Sequence, residues 1–408
     1  MRSVEEQLAL VLAAARPLPA GAGTVADSLG RTLAVPVRAA VDIPVFDNSA
    51  MDGFAVRGAD VAGASPDSPV RLRVVAEVPA GSALDPALAP GEAARIMTGA
   101  PVPTAADAIV PVEDTVDGFA GPADETVVLR APRPGAHVRR AGEDARAGDE
   151  VVPAGIVLGP LQAGAIAASA VVEVTTARAP RVAVVSTGSE LVAPGEPLGR
   201  GAIPESNGAL LAALVAEAGG EVVLRTSVPD DPAALRRVLE QAGDVDAVVM
   251  SGGVSAGAYE PVKQAFGAGG GMEFASVAMQ PGKPQGFGVA PGGALMFGLP
   301  GNPVSVAVSF EVFVRPALLA LQGRAELHRP RIALPAAEGW RTPPGRRQYL
   351  PAAIDRSDPA RWTVRPATAG GSKSHLAGAL ARAEAYAVVP AEVEEVGPGD
   401  LVEVWLRS

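Results

Sequence analysis

Four short stretches of this chain put hydroxyls, carboxylates and glycines directly after apolar runs. In one, Ala247, Val248, Val249 and Met250 lead into Ser251-Gly252-Gly253-Val254-Ser255 and then to Glu260. In a second, Ser186-Thr187-Gly188-Ser189-Glu190 follows the run from Val182. Asp230 follows a run ending at Val228, and Pro300-Gly301-Asn302-Pro303 follows Phe297. Short apolar runs bounded by turn residues read as buried strands. Paired glycines let backbone N–H groups approach a ligand with no Cβ in the way. In an open α/β sheet, ligands sit at the carboxyl ends of the strands. Each stretch alone reads equally well as a tight turn that holds nothing. Together they offer backbone donors, a helix N-terminus at Asn302 and two or three carboxylates. That set suits a phosphorylated ligand with a divalent cation. Asp231, just before Pro232, reads instead as a helix N-cap.

Two more segments carry chemistry outside this pattern. Residues 44–56, PVFDNSAMDGFAV, are dense in turn formers around Asp52, yet Phe46, Met51 and Phe54 are interleaved as anchors. This is either a shaped site or an Asx-turn entering a strand. Thr98 sits in residues 95–101, RIMTGAP, where an ordinary turn is the competing reading. Residues 139–144, RRAGED, place Asp144 in another polar turn.

The elements that must position these groups change period along the chain. Residues 3–15 pattern as an amphipathic helix with Ser3 as N-cap and acids in its first turn, and residues 24–29 as a second short helix. From 55 to 138, short strands separated by Pro and Gly predict a small β domain. Residues 160–170 read as a helix and 171–174 as a strand. This segment is placed to fold back on the N-terminus and make a discontinuous domain around the inserted β domain. Strands at 182–186, 221–228 and 246–250 alternate with helices at 207–218 and 231–242, which predicts a doubly wound parallel sheet. Two or three more strands, at 272–278, 285–289 and 294–297, precede a closing helix from Asn302 to about 321. Beyond 324 the short-strand pattern returns. The expected fold is therefore α/β plus β, a multi-domain chain with a doubly wound α/β domain, an inserted β domain and a C-terminal β domain. Its parts are 1–45 with 140–178, 46–139, 179–325 and 326–408.

Composition narrows the partners. The chain has 408 residues, 48% hydrophobic and 19% charged, which fits a globular protein of several domains. A net charge of -11 argues against a nucleic-acid binder, which needs a basic footprint. With no cysteine there are no disulfides, thiolate metal sites or cysteine nucleophiles. His137, His328 and His375 are far apart, so the expected metal is Mg²⁺ held by carboxylates and phosphates. Acids precede the first apolar run, against a signal peptide. The uncharged stretch 151–172 is broken by Pro and Gly, against a membrane span. The expected location is the cytoplasm.

Eight motifs then carry a resemblance: PVFDNSAMDGFAV, RIMTGAPVP, RRAGED, STGSEL, SGGVSAG, PGKP, GLPGNPVS and SKSH, in this order from Pro44 to His375. The series resembles that of the molybdopterin molybdenumtransferases, the MoeA family, which includes the gephyrin E domain. The resemblance implies an elongated four-domain subunit and a homodimer with sites at the subunit junction. It implies insertion of molybdate into adenylylated molybdopterin with Mg²⁺ and release of AMP. Contact with the molybdopterin adenylyltransferase and with recipient molybdoenzymes belongs to the same expectation.

Carried over by position, Asp52 and Thr98 are the β-domain contributions, facing the partner's α/β domain, and Asp144 is the acid of its turn. Glu190 and Asp230 are pocket acids and, with Glu260, metal ligands. Ser186, Thr187, Gly188, Ser251, Gly252, Gly253, Ser255, Pro300, Gly301 and Asn302 line the cofactor pocket. Lys283 contacts phosphate or molybdate as a point charge, and Ser374 reaches in from the C-terminal domain. There are departures. Glu260 stands where Asp is usual, Ser276 and Gln280 where some members carry lysines, Pro351 where an arginine is common, and Ser189 for a usual Asp. Arg346, Arg347 and Lys373 are candidates to compensate. The alternatives are molybdopterin adenylylation, a non-catalytic scaffold, and a paralogue with altered anion choice such as tungstate. The inserted and C-terminal β domains argue against the first, and the absence of an extra domain or long linker against the second.

Overall fold

The computed structural model describes residues 1–254, 261–267, 271–367, 374, 375 and 377–407. Its centre is a six-stranded sheet: β1 (Arg181–Thr187), β2 (Glu221–Val228), β3 (Ala247–Ser251), β4 (Met272–Ser276), β5 (Pro284–Val289) and β6 (Leu295–Leu299). Their order is β2-β1-β3-β6-β5-β4. Side chains alternate across it, as the period of two requires. Val182, Val184, Val249 and Phe297 face helices Asn207–Glu217 and Pro303–Leu321. Ala183, Val185, Val248 and Met250 face Leu235 and Val262 on the other side. The sheet differs from the fully parallel one expected: β5 alone is reversed, running antiparallel to both β6 and β4. The hairpin between β4 and β5 is too short for the crossover a parallel pair needs.

Local signals explain the helix ends. Ser3 and Glu6 form a capping box on helix Val4–Ala14, with Glu6 N–H donating to Ser3 Oγ at 3.1 Å and Ser3 N–H to Glu6 Oε2 at 2.8 Å. Asp231 caps helix Pro232–Gln241 by accepting from Ala233 N–H at 2.9 Å. Helix Pro303–Leu321 passes through a π segment, Phe310–Val314. It is long and apolar enough to cross a membrane, but 89% of it is buried inside the fold, so it is a core helix. The uncharged stretch 151–172 contains only the short helix Pro160–Ala168.

Two expectations near the N-terminus fail, one on a local turn and one on long-range packing. Instead of the helix expected over 24–29, Thr24 ends a strand and residues 25–30 form turns, with Thr24 Oγ1 donating to Asp27 Oδ2 at 2.7 Å. Helix Val4–Ala14 does not join the discontinuous segment. Its Val11 and Ala15 enter the central core, and its Val4 enters the junction with the C-terminal sheet. The discontinuous segment itself pairs strand Ala20–Thr24 with Glu173–Ala177 and packs Leu33, Val37, Leu158 and Ile166 together. The inserted region carries a five-stranded sheet with its own cores around Phe54, Leu72 and Ile96. The C-terminal sheet accepts one strand, Met279–Gln280, from the central region, parallel to Arg347–Asp355.

Candidate functional site

Register brings the polar strand ends to one edge of the central sheet. Ser186 pairs with Ser251, Ser251 with Leu299, and Thr187 with Val228. The loops beginning at Gly188, Gly252, Pro300 and Pro229 therefore start side by side. Gly252 and Gly253 have φ of 89° and 67°, the left-handed region that favours glycine. A Cβ on Gly252 would lie 2.5 Å from Thr187 O, and one on Gly301 would lie 3.6 Å from Gly252 Cα. The loops touch through backbone, and Gly252 N–H donates to Leu299 O at 3.0 Å, tying the ends of β3 and β6 together.

The acids split into two kinds. Glu190 folds over Gly188, where a Cβ would lie 2.7 Å from Glu190 Oε2. Asp230 accepts from Ser189 N–H at 3.1 Å while Ser189 Oγ accepts from Asp230 N–H at 3.0 Å, joining the β1 and β2 loops. Both carboxylates sit at the rim, an oxygen donor set that with phosphate and water suits Mg²⁺. Their expected third member, Glu260, and the cofactor-pocket Ser255 lie outside the described residues, as does Lys373. Among the described residues, no group of three or more His, Cys, Asp or Glu is gathered for a metal.

Beneath the rim lies a second, buried layer. Ser186 Oγ donates to Glu205 Oε1 at 2.8 Å and accepts from Ser251 Oγ at 3.3 Å. Glu205 Oε1 also accepts from Gly208 N–H at 2.6 Å, at the start of helix Asn207–Glu217. Asn207 Nδ2 donates to Gly301 O at 2.7 Å. Glu205 and Asn207 were not among the sequence candidates. An acid just before a helix usually serves only that helix, so the one signal available was the unbroken Glu205-Ser206-Asn207 run. Asn302 also behaves differently from its reading as a cap. It makes no capping bond, and its Nδ2 donates to Ser374 Oγ at 3.0 Å, drawing the C-terminal region to the rim.

Asp52 and Thr98 meet, but elsewhere. Asp52 Oδ1 accepts from Thr98 N–H at 2.7 Å and from Thr98 Oγ1 at 2.8 Å. These two bonds, the backbone one first, hold its carboxyl below the usual carboxylate range. This exposed pair belongs to the inserted sheet, whose cores share no residue with the central one. Asp144 is exposed on its turn. That turn is instead shaped by Asp47, which accepts from Ala141 N–H at 2.8 Å and Arg140 at 2.5 Å.

Cavities do not single out the rim by size. One of about 770 Å³ lies away from it, between helix Val4–Ala14 and the C-terminal sheet, lined by Glu5, Arg315, Arg347 and Trp405. A smaller one of about 340 Å³, lined by Val254, Lys263, Ser276 and Lys283, adjoins the β3 loop.

Comparison with known proteins gives one consistent answer. Residues 2–170 match the MoeA N-terminal region (domain I and II), 183–320 a probable molybdopterin binding domain, and 333–406 the MoeA C-terminal region (domain IV). A relative named molybdopterin molybdenumtransferase 2, from Mycobacterium tuberculosis, is 44% identical over 99% of both chains. A molybdopterin molybdenumtransferase from Nostoc is 42% identical over 73% of this chain and 68% of its own. A crystal structure of a molybdopterin biosynthesis MoeA protein from Pyrococcus horikoshii superposes with a TM-score of 0.80 at 33% identity. It covers 99% of this chain and 98% of its own.

Proposed function

The chain belongs to the MoeA family of molybdopterin molybdenumtransferases, and from that premise we propose that it inserts molybdate into adenylylated molybdopterin, releasing AMP and forming the molybdenum cofactor. The observation that carries this reading is the row of strand-end loops in backbone contact, with Glu190 over Gly188 and Asp230 tied to Ser189. Both substrates are anions, and the bond to be broken joins two phosphates. Gly252 N–H is taken by Leu299 O at 3.0 Å, so the backbone donors assigned to that charge are those of the Gly253 turn and the Asn302 helix start, fixed before the substrates arrive. Lys283, exposed on the same side, adds a point charge.

Glu190 and Asp230, with Glu260, are the residues assigned to Mg²⁺, which when bound neutralises charge on the departing phosphate. Ser186, Thr187, Gly188, Ser251, Pro300 and Gly301 shape the pocket floor, and Ser374 closes it through Asn302. Asp52, held ionised by Thr98, and Asp144 act from outside this rim. Since the inserted sheet folds around its own cores, we assign them to the rim of a second subunit in a homodimer. A cytoplasmic setting, with hand-over from the molybdopterin adenylyltransferase and to recipient molybdoenzymes, is part of the same proposal.

Reconstitution tests the reading: purified protein, adenylylated molybdopterin, Mg²⁺ and molybdate, followed by AMP release and activation of an apo-molybdoenzyme. Molybdate-dependent AMP release is expected. Its absence at saturating molybdate sinks the proposal, and AMP release driven by tungstate in preference to molybdate assigns the protein to an altered anion.

A further inference from the structure

Glu205 is a buried acid beneath the rim, only 7% exposed and so closed to a substrate or a cation. Burying a carboxylate is costly unless it is paired. Here the Ser186 hydroxyl and Gly208 N–H both donate to its Oε1, and Arg225 stands 3.7 Å from its Oε2.

Its backbone has a second task. The loop after β1 carries Glu190 and ends in a two-residue strand, Leu191–Val192, parallel to Ile203–Pro204. Ile203 N–H donates to Glu190 O at 2.9 Å, and Glu205 N–H donates to Val192 O at 2.8 Å. Glu205 therefore holds both feet of the loop. Its side chain takes the first residue, Ser186, and its N–H takes the last, Val192. Between the feet, Gly188 N–H donates to Val228 O at 3.1 Å and Leu191 N–H to Gly188 O at 3.2 Å. The backbone is thus pinned on either side of Glu190. The Gly208 bond ties the same carboxylate to helix Asn207–Glu217, whose Leu211 and Leu214 enter the central core. The clasp is anchored on the platform, not on the loop.

We propose that Glu205 is a positioning residue, acting through loop 186–192 to set the Glu190 carboxylate over Gly188 for the cation. This rests on the transferase reading, which assigns Glu190 to Mg²⁺, and adds the residue that aims it. A carboxylate on a slack loop samples many positions, and ordering it when the cation arrives weakens binding. A buried clasp orders it at folding instead. Groups that orient a metal ligand are worth about 10–100-fold in affinity or activity. The hydrogen bonds matter here more than the charge, because both donors go to one oxygen, which an amide also supplies.

The test compares full-length Glu205→Met and Glu205→Gln proteins with the wild type. Hydrogen exchange at the Gly188 and Leu191 amides reads the loop without substrate, and steady-state AMP release reads the site. Glu205→Met is expected to speed exchange, to lower kcat about tenfold and to raise the Mg²⁺ concentration for half-maximal rate about tenfold. KM for adenylylated molybdopterin should stay within about twofold, a change too small to signal a lost contact. Glu205→Gln is expected to keep each of these values within about twofold of wild type, since the amide oxygen accepts the same two bonds. If Glu205→Met fails to fold, Ser186→Ala removes only the bond at the first foot and should shift exchange and Mg²⁺ dependence the same way by about threefold. Unchanged exchange in the variant used overturns the proposal. So do unchanged turnover and Mg²⁺ dependence on a loosened loop, an equal rise in the Mg²⁺ requirement and the substrate KM, or a Gln variant as impaired as the Met variant. A wild-type protein that releases no AMP sinks the transferase reading alone, and exchange still decides whether Glu205 holds the loop.

Discussion

The two β regions that flank the central sheet are attached to it in opposite ways. The C-terminal sheet is fused to it. Val304, Val308 and Phe313 of the core helix share one apolar cluster with Tyr349, Tyr386 and Trp405. Beside that cluster, buried Arg329 bonds Glu311 at 2.8 Å and Glu217 at 2.5 Å. Burial pulls the Arg329 pKa down, but these two acids outweigh it and the net shift is upward. The inserted sheet meets the rest through a narrow neck instead. There Ile43 faces Ala145, buried Asn48 pairs with exposed Arg139, and Asp47 bonds Arg140 near solvent. None of its apolar clusters extends beyond it among the described residues.

The difference bears on the division of work proposed for the acids. Glu190 and Asp230 stand on a platform whose geometry is set by one continuous core. Asp52 and Thr98 stand on a separately packed unit that can be presented to another chain as a whole. Exposed ion pairs of the kind at the neck contribute little to stability, so the neck fixes direction more than energy.

Substitutions on each side sharpen the contrast. The largest expected effect is on turnover. Glu190→Ala and Asp52→Ala should each lower AMP release at least about 100-fold, the scale of losing a preorganised electrostatic group, with melting temperature unchanged. Full activity in either would break the assignment of that acid. Next, Arg329→Met should cost about 3 kcal/mol by leaving Glu311 buried with only the more distant Arg315 beside it. Denaturant unfolding should show this in the transition of the central and C-terminal regions. A separate lesion, Leu72→Ala, should cost about 2–4 kcal/mol from the inserted core. If the two regions are as independent as their cores, each variant moves its own transition and leaves the other in place. A single shared transition shifted by both would contradict that independence.

The smallest effect concerns pH. Asp52 ionises below the usual range, so activity that needs its charge is complete at neutral pH and is lost only as pH falls through that lowered value. Thr98→Val removes the hydroxyl donor and keeps the N–H. The acid limb of the rate profile should move upward toward an ordinary carboxylate, with the neutral-pH rate little changed. An unmoved limb would mean that another group controls it.

The rim was legible in the sequence because its signals are local. A run of small apolar residues followed by Gly-Gly, or Asp before Pro, dictates a strand end or a cap wherever it occurs. β2 spans the residues its pattern indicated, and Asp231 caps as expected. What could not be read depends on distant partners. The direction of β5 is decided by its neighbours, not by its glycine-rich sequence. Helix Val4–Ala14 has an amphipathic face, but nothing in that face names the core it joins. Asn302 looks like a cap until Ser374, 72 residues away, takes its side chain. Glu205 is anonymous until the ends of β1 and β3 close over it.

The most direct measurement mixes two inactive chains. Asp52→Ala and Glu190→Ala proteins are purified, unfolded and refolded together to exchange subunits, then assayed for molybdate-dependent AMP release. If the inserted unit of one chain completes the platform of another, mixed dimers regain one intact site and the activity recovers well above that of either parent. If each chain builds its site alone, every chain in the mixture carries a defect and no activity returns. That result would contradict the account at its centre.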